Sequence, residues 1–287
     1  MRFAYYPGCT SKGSTQEVDL ASRSLAKHLG IDLIELNDAG CCGSCEIKAV
    51  NPDLHLMLNA RILSMASERQ LEILTVCDTC QANLLSTGRK LEQDPVKRAT
   101  ITEKLRSAGV NYTGAPKTRH FTRILMEEFG ERKLAEKVVK PLGELRVATF
   151  ACCHTFRGDG KELRNLGLLE RLTEVTGANA IPIRADGDCC GFHILMVNED
   201  LAARAAGKFL ARCKDAQVDC VVTSSPLCHA ALDIYQKSAE AASGRKIQIP
   251  VLHVEQIVAM SMGIRPERLG LERHMVSVDR LIEKAIA

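Results

Sequence analysis

Short apolar runs alternate along most of the chain with longer stretches in which apolar residues recur every three or four positions, a pattern of strand, helix, strand, helix. Residues 2–6 predict a buried strand, and 15–29 an amphipathic helix that stops at Gly30. Residues 32–36 predict a second strand, 52–69 a long helix, 72–76 a third strand and 81–93 a further helix. The same order then returns: strand 145–150, helix 161–176, strand 180–183, helix 200–215, strand 220–223 and helix 227–237. The expectation is an α/β fold of two pseudo-repeated βαβαβα halves with mainly parallel sheets. One half is expected over residues 1–130 and the other over 144–263. A charged stretch ending in Pro141-Leu142-Gly143 separates them, and 264–287 is a polar tail with room for one docking helix.

The cysteines repeat with the elements. Cys9, Cys41-Cys42-Gly43 and Cys77-Asp78-Thr79-Cys80 are followed in the second half by Cys153, Cys189-Cys190-Gly191 and Ser225-Pro226-Leu227-Cys228. In the first copy 31 residues separate Cys9 from Cys41 and 34 separate Cys42 from Cys77; the second has 35 and 34. His120 to Gly130 resembles His253 to Gly263, so the repeat extends beyond the cysteines. Each cysteine group follows a predicted strand. In parallel sheets ligands gather beyond the carboxyl ends of the strands, so each set should converge at one sheet edge.

Composition narrows the classes. With 287 residues and 46% apolar content the chain can bury a large core, unlike the short disulfide scaffolds of secreted proteins. Its 38 basic and 35 acidic residues form no basic run interleaved with aromatics, which argues against nucleic acid. No apolar stretch has the roughly 20 residues of a spanning helix, and no signal-peptide pattern opens the chain. A soluble, cytoplasmic protein is expected. In a reducing compartment, clustered thiols point to metal or iron–sulfur ligation, with redox thiols as the lesser reading. Zinc could take Cys77, Cys80 and two others, but two adjacent cysteines seldom both face one small ion. A larger cluster accepts both.

With these motifs, the opening Tyr5-Tyr6-Pro7-Gly8-Cys9 and the segment Pro250-Val251-Leu252-His253, the chain resembles the B-type component of heterodisulfide reductase, a family with paired cysteine-rich CCG domains. That resemblance implies a noncubane [4Fe-4S] cluster on each set of five cysteines, with a disulfide split between the two clusters. Carried over, the first set is Cys9, Cys41, Cys42, Cys77 and Cys80. The second is Cys153, Cys189, Cys190 and Cys228, with Ser225 at the place of the fifth cysteine. Serine is a hard, weakly acidic donor, so the second set is expected to hold the same or an altered cluster. Phe192-His193 after Gly191 also departs from the methanogen pattern. The chain is more similar to the heterodisulfide reductase-like complexes of sulfur-oxidising prokaryotes. That similarity implies redox chemistry on thiol, disulfide or lipoate-bound sulfane sulfur, with a C-type iron–sulfur subunit and an A-type flavoprotein subunit as partners. No flavin, nicotinamide or P-loop motif is present to replace them. The alternatives are an electron-transfer or scaffold subunit with one working cluster, and a zinc-stabilised binding protein.

Catalysis is expected at the second set, Cys153, Cys189, Cys190 and Cys228, with His154 and His193. His154 and His229 each follow a cluster position and read either as proton donors or as loop hydrogen-bonders. Cys45 aligns with His193, both being capable of ligation or proton donation. Cys152 aligns with Gly8 and, like Cys213 and Cys220, reads as a small core residue, although its place beside Cys153 leaves ligand substitution open. His120 and His253 recur in both copies and suggest a shared structural task.

Overall fold

The computed structural model describes residues 1–157, 167–183 and 188–286. Within them the chain builds two four-stranded sheets, each entirely parallel. The first contains β1 (Arg2–Tyr6), β2 (Asp32–Glu35), β3 (Ile73–Thr75) and β4 (Thr118–His120), in the order β2-β1-β3-β4. The second contains β5 (Arg146–Phe150), β6 (Asn179–Ile181), β7 (Cys220–Thr223) and β8 (Val251–His253), in the matching order β6-β5-β7-β8. Register repeats as well. Thr75 lies opposite Tyr6 and His120, as Thr223 lies opposite Phe150 and His253.

Each half therefore has one strand more than the three the periodicity predicts. β4 and β8 have three residues each, no more than β3 and β6, but β4 is the polar run Thr118-Arg119-His120 and β8 follows Pro250, so neither stands out as an apolar strand. Both are fully buried.

The helices follow local rules. Asn51 and Asn198 occupy the same place in the two copies, and the side chain of each accepts a helix N–H, from Leu54 and Leu201, at 3.0 and 2.9 Å. They start the helices Pro52–Ser67 and Glu199–Asp215, close to the expected 52–69 and 200–215. The helix expected over 15–29 is Gln16–His28, and that over 81–93 begins earlier, at Asp78–Gln93. The start of the helix expected over 161–176 lies outside the described residues; its described part is Leu168–Val175. The stretch 227–237 divides into Pro226–Asp233 and Gln236–Ser243. A helix at Pro95–Ser107 was not expected, although Asp94 caps it through Lys97 N at 2.9 Å and Pro95 stands in its first turn. Its mostly polar sequence hides the period.

Three apolar cores result. One belongs to the first half, centred on Ile62, Leu84 and Ile101, and one to the second, centred on Phe150, Phe209 and Leu232. The third joins them: Tyr5, Val18 and Leu25 pack with Val147, Leu172, Ile257 and Val258. The tail ends in the helix Asp279–Ile286, and Leu269, Leu271, Val278 and Leu281 bury themselves in this shared core.

Candidate iron–sulfur site

In a 2-1-3-4 sheet the chain reverses direction of winding between the first and third strands, and the loops leaving those strands diverge into a crevice. β1 leads to Cys9, β3 to Cys77, β5 to Cys153 and β7 to Ser225. The remaining cysteines arrive from the loops after β2 and β6.

In the first half all five expected thiols meet. Cys9 Sγ lies 3.3 Å from Cys41 Sγ, and Cys80 donates to Cys42 Sγ at 3.6 Å. Cys77 begins the helix Asp78–Gln93, and its sulfur accepts the backbone N–H of Cys80 at 3.4 Å. Asn83 Nδ2 donates to Cys42 Sγ at 3.5 Å, while Asn59 holds the Cys42 carbonyl at 2.8 Å. Hydrogen bonds from Cys41 and Cys80 hold the Cys42 thiol well below its ordinary pKa against the opposing effect of burial. Cys9 is pushed up by its hydrogen bond to Cys41 and by burial. Gly8 and Gly43 have positive φ, 81° and 80°, which lets the two loops turn beside the sulfurs. A cavity of about 400 Å³ opens in front of Cys9 and Cys41, bordered by Tyr6, Lys12 and Glu35.

The second half brings together Cys153, Cys189, Cys190 and Cys228. Neighbouring thiols act on one another's ionisation there: Cys152 and Cys189 push the Cys153 thiol up, and Cys189 pushes Cys190 up while Cys228 opposes it. Gly191 N donates to Cys189 Sγ at 3.4 Å, as Gly43 N does to Cys41 at 3.3 Å. Cys152 joins this set: Cys153 and Cys228 hold its thiol well below the ordinary pKa against burial, and its sulfur groups with that of Cys153 and a nitrogen of His154. Ser225 starts the helix Pro226–Asp233, but its hydroxyl caps nothing and is buried without a partner. Cys213 and Cys220 lie elsewhere, buried in the apolar cores of the second half and of the junction. Burial pushes the Cys213 thiol up to about 12.

Between the two sets stands His154. Its Nε2 is 3.2 Å from Cys45 Sγ, and its Nδ1 is 3.3 Å from Thr79 Oγ1 and 3.6 Å from Cys152 Sγ. Burial alone would lower its pKa, but hydrogen bonds to Cys152 and Cys45 outweigh it and raise it to about 10. His193 packs edge-on to His154 at 5.3 Å between ring centroids, with Nδ1 2.9 Å from Glu46 Oε1 and 3.4 Å from Ser44 Oγ. The aligned pair Cys45 and His193 therefore meets across the junction with His154. His229 does not: it is fully buried, with Nε2 3.0 Å from Glu17 Oε1, beside Asp233 and His274.

The junction also holds Asp78 and Thr79, which carried no recognised signal of their own, and His120, which was read as structural. Asp78 is buried and accepts hydrogen bonds from Ser224 Oγ at 2.7 Å and Thr155 Oγ1 at 3.2 Å. His120 Nε2 reaches the Ser224 carbonyl at 3.1 Å, and His120 and His253 each precede a helix, at equivalent places. The only hint of Asp78 and Thr79 was their position inside Cys77-Asp78-Thr79-Cys80.

Five thiols linked one to the next around one loop cluster suit a multi-iron cluster, whereas tetrahedral zinc takes four. The residues therefore fit iron–sulfur clusters, with the first set complete on its five expected cysteines.

A model of the cysteine-rich domain family CCG matches residues 3–85 and 147–233. The chain is 33% identical over 284 residues to the 8-methylmenaquinol:fumarate reductase membrane anchor subunit of Wolinella succinogenes, covering 97% of this chain and 98% of that one. It is 29% identical over 286 residues to the B-type component of the ferredoxin:CoB-CoM heterodisulfide reductase of Methanosarcina mazei, covering 96% and 94%. A protein of Archaeoglobus profundus that is itself like the B-type component of heterodisulfide reductase is 25% identical, covering 94% of this chain and 93% of that one. Among solved structures, a hypothetical protein from Helicobacter pylori superposes with a TM-score of 0.82 at 17% identity, a likeness of fold. It covers 97% of this chain, which spans about half (52%) of that one.

Proposed function

The chain belongs to the CCG cysteine-rich domain family, in two copies, and from that premise we propose that it carries out disulfide or persulfide redox chemistry between two noncubane-type [4Fe-4S] clusters. Its domains and its near end-to-end similarity to the B-type components of heterodisulfide reductases make it an iron–sulfur redox subunit of a larger complex. Cys9, Cys41, Cys42, Cys77 and Cys80 would hold one cluster, and the thiols around Cys153, Cys189, Cys190 and Cys228 the other. Bound clusters supply or accept electrons one at a time, and cleaving an S–S bond consumes two electrons and two protons.

The observation that carries the sulfur reading is His154, placed between the sets with Cys45 on one ring nitrogen and Thr79 on the other. Thr79 orients the ring. From that position His154 can hand a proton to a departing thiolate, or take one from an entering thiol in the oxidative direction. His193, held by Glu46, flanks it. Electrons then pass to or from partners of the C-type iron–sulfur and A-type flavoprotein kinds, and the substrate class extends to lipoate-bound sulfane sulfur. We place the reaction in the cytoplasm; among the described residues no helix is long and apolar enough to cross a membrane.

A second reading is favoured by the relative from Wolinella: electron transfer within a quinol- and fumarate-linked complex, with the chain as its membrane-associated subunit. One set of measurements separates the two. Anaerobic analysis is expected to give about eight irons per chain, two four-iron clusters; zinc without iron would end both readings. In the reconstituted complex, a disulfide or persulfide should change the visible spectrum. His154→Gln should lower turnover about 10²- to 10⁴-fold with iron content unchanged. A spectrum indifferent to sulfur substrates, with fumarate reduction by a quinol intact, selects the second reading.

A further inference from the structure

We propose that Cys152 supplies the fifth thiolate of the second set, replacing the cysteine that Ser225 has displaced. The inference rests on the iron–sulfur reading above and concerns which residues of this chain hold the second cluster.

The argument starts from matched positions. Cys152 stands where the first half has Gly8, and Ser225 where it has Cys77. A Cβ built on Gly8 would lie 3.1 Å from Cys80 Sγ and 3.9 Å from Cys77 Cβ. A side chain at this position therefore points into the thiol set, beside the very residue that is serine in the other copy. Gly8 itself has a φ of 81°, a region that L residues rarely adopt. Cys152 is not among the non-glycine residues of positive φ, so the loop is rebuilt there to accept a side chain.

From that rebuilt loop Cys152 still reaches the thiol set. It is 2% exposed, its sulfur is 3.6 Å from His154 Nδ1, and the Cys153 and Cys228 thiols act on its ionisation. Its sulfur, that of Cys153 and a nitrogen of His154 all lie within 4.8 Å of one another. Ordinary core cysteines differ: Cys213 shares an apolar cluster with Cys152, yet among the described residues neither Cys213 nor Cys220 belongs to a group of potential ligands. Ser225 completes the case. Serine at a helix start normally accepts a backbone N–H, yet the Ser225 hydroxyl is buried without any partner. A neutral hydroxyl is also a poor donor to iron beside thiolates. One thiol has been lost and one gained within the same set, and the number stays at five.

The test uses the full chain purified anaerobically, with iron per chain, visible absorbance and electron paramagnetic resonance as readouts. Cys152→Ser should lose about half of the iron, the content of one four-iron cluster, while Cys213→Ser loses none. Adding Ser225→Cys to Cys152→Ser should restore iron toward the wild-type amount, and the half retained by the single variant at the first set shows that it folds. Undiminished iron in Cys152→Ser overturns the proposal, as does failure of Ser225→Cys to restore it. A wild-type chain with only about four irons, all lost on Cys42→Ser, also overturns it and leaves one cluster in the first half. Wild-type protein without iron defeats the iron–sulfur reading itself.

Discussion

In the first half Cys9 and Cys41 face solvent beside an open cavity, whereas in the second half their counterparts are Cys153, 5% exposed, and the half-buried Cys189. Sheet order, strand register and the Asn caps are the same on both sides. The difference arises in the loops, where duplicated positions have diverged: Gly8 against Cys152, Cys45 against His193, Cys77 against Ser225, and Asp78 against Pro226. A parallel sheet fixes where ligands gather, while side chains beyond the strand ends decide how each set is protected. Solvent exposure is one of the terms that set a cluster's potential, so two sets on one scaffold need not be equivalent electron carriers.

The largest effects should come from the thiols. Cys42→Ala and Cys190→Ala, matched deletions of buried sulfurs, are each expected to remove about half of the bound iron. Iron analysis and the visible spectrum of each variant decide the matter. If either deletion emptied both sets, the picture of two separately assembled centres would be wrong.

Next come the glycines that close each Cys-Cys-Gly loop. A Cβ on Gly191 would meet the Ala202 backbone, Cα and O, at 2.8 Å, and its φ of 83° disfavours any L residue. Gly43 has the same φ region but would press on side-chain atoms, Ile47 Cβ at 3.0 Å and Leu58 Cδ1 at 3.3 Å. Gly191→Ala is therefore expected to cost about 1–2 kcal/mol for the backbone and about 1–3 kcal/mol more for overpacking. Gly43→Ala should cost clearly less, since Ile47 and Leu58 can shift. Urea unfolding of the two variants under identical conditions compares them; equal losses would show that the backbone term alone governs both loops.

How far this asymmetry could be read in advance depends on the kind of signal. Periodicity and repeated spacing located six of the eight strands, the parallel α/β class and the first thiol set, because period and spacing are properties of local sequence. They could not show the polar β4 or β8 behind Pro250, nor the shared core to which Tyr5 and Ile257 both belong. The junction was hidden for the same reason. Asp78 contacts Thr155 and Ser224, and His154 contacts Cys45 and Thr79, across at least 75 positions of sequence. Cys152 illustrates the limit: alignment with Gly8 suggested a small core residue, and only three dimensions place its sulfur among the other thiols.

A smaller effect is expected at the arm that the first half extends into the second. Asp78→Ala leaves the buried hydroxyl of Ser224 and the half-buried one of Thr155 without their acceptor, which should cost about 1–3 kcal/mol. Pro226→Ala, at the matched position, breaks no hydrogen bond between the halves and should cost only about 0.4–1 kcal/mol through unfolded-state entropy. Denaturant midpoints give both values, and a larger loss for Pro226→Ala would reverse the assigned direction of the clamp.

The smallest effect separates the two outer strands by charge. Glu35, at the end of β2, pairs with Lys12 at 2.6 Å and with Arg23. Partial burial opposes ionisation, but hydrogen bonds from Lys12 and Arg23 prevail and hold the Glu35 carboxyl below the usual range. A lowered folded-state pKa adds stability that is present above the unfolded pKa and is lost as pH falls through the folded one. The group is near the surface, so the amount should stay below about 1 kcal/mol. β6, its counterpart, is tied by Asn179 Nδ2 donating to the Gly143 carbonyl at 2.5 Å, a contact without a titrating group. Acidification below the ordinary carboxylate pKa should therefore speed amide hydrogen exchange in β2 more than in β6, after correction for the intrinsic pH dependence. Glu35→Gln should abolish that difference; if it persists in the variant, the acid sensitivity of the first edge has another source.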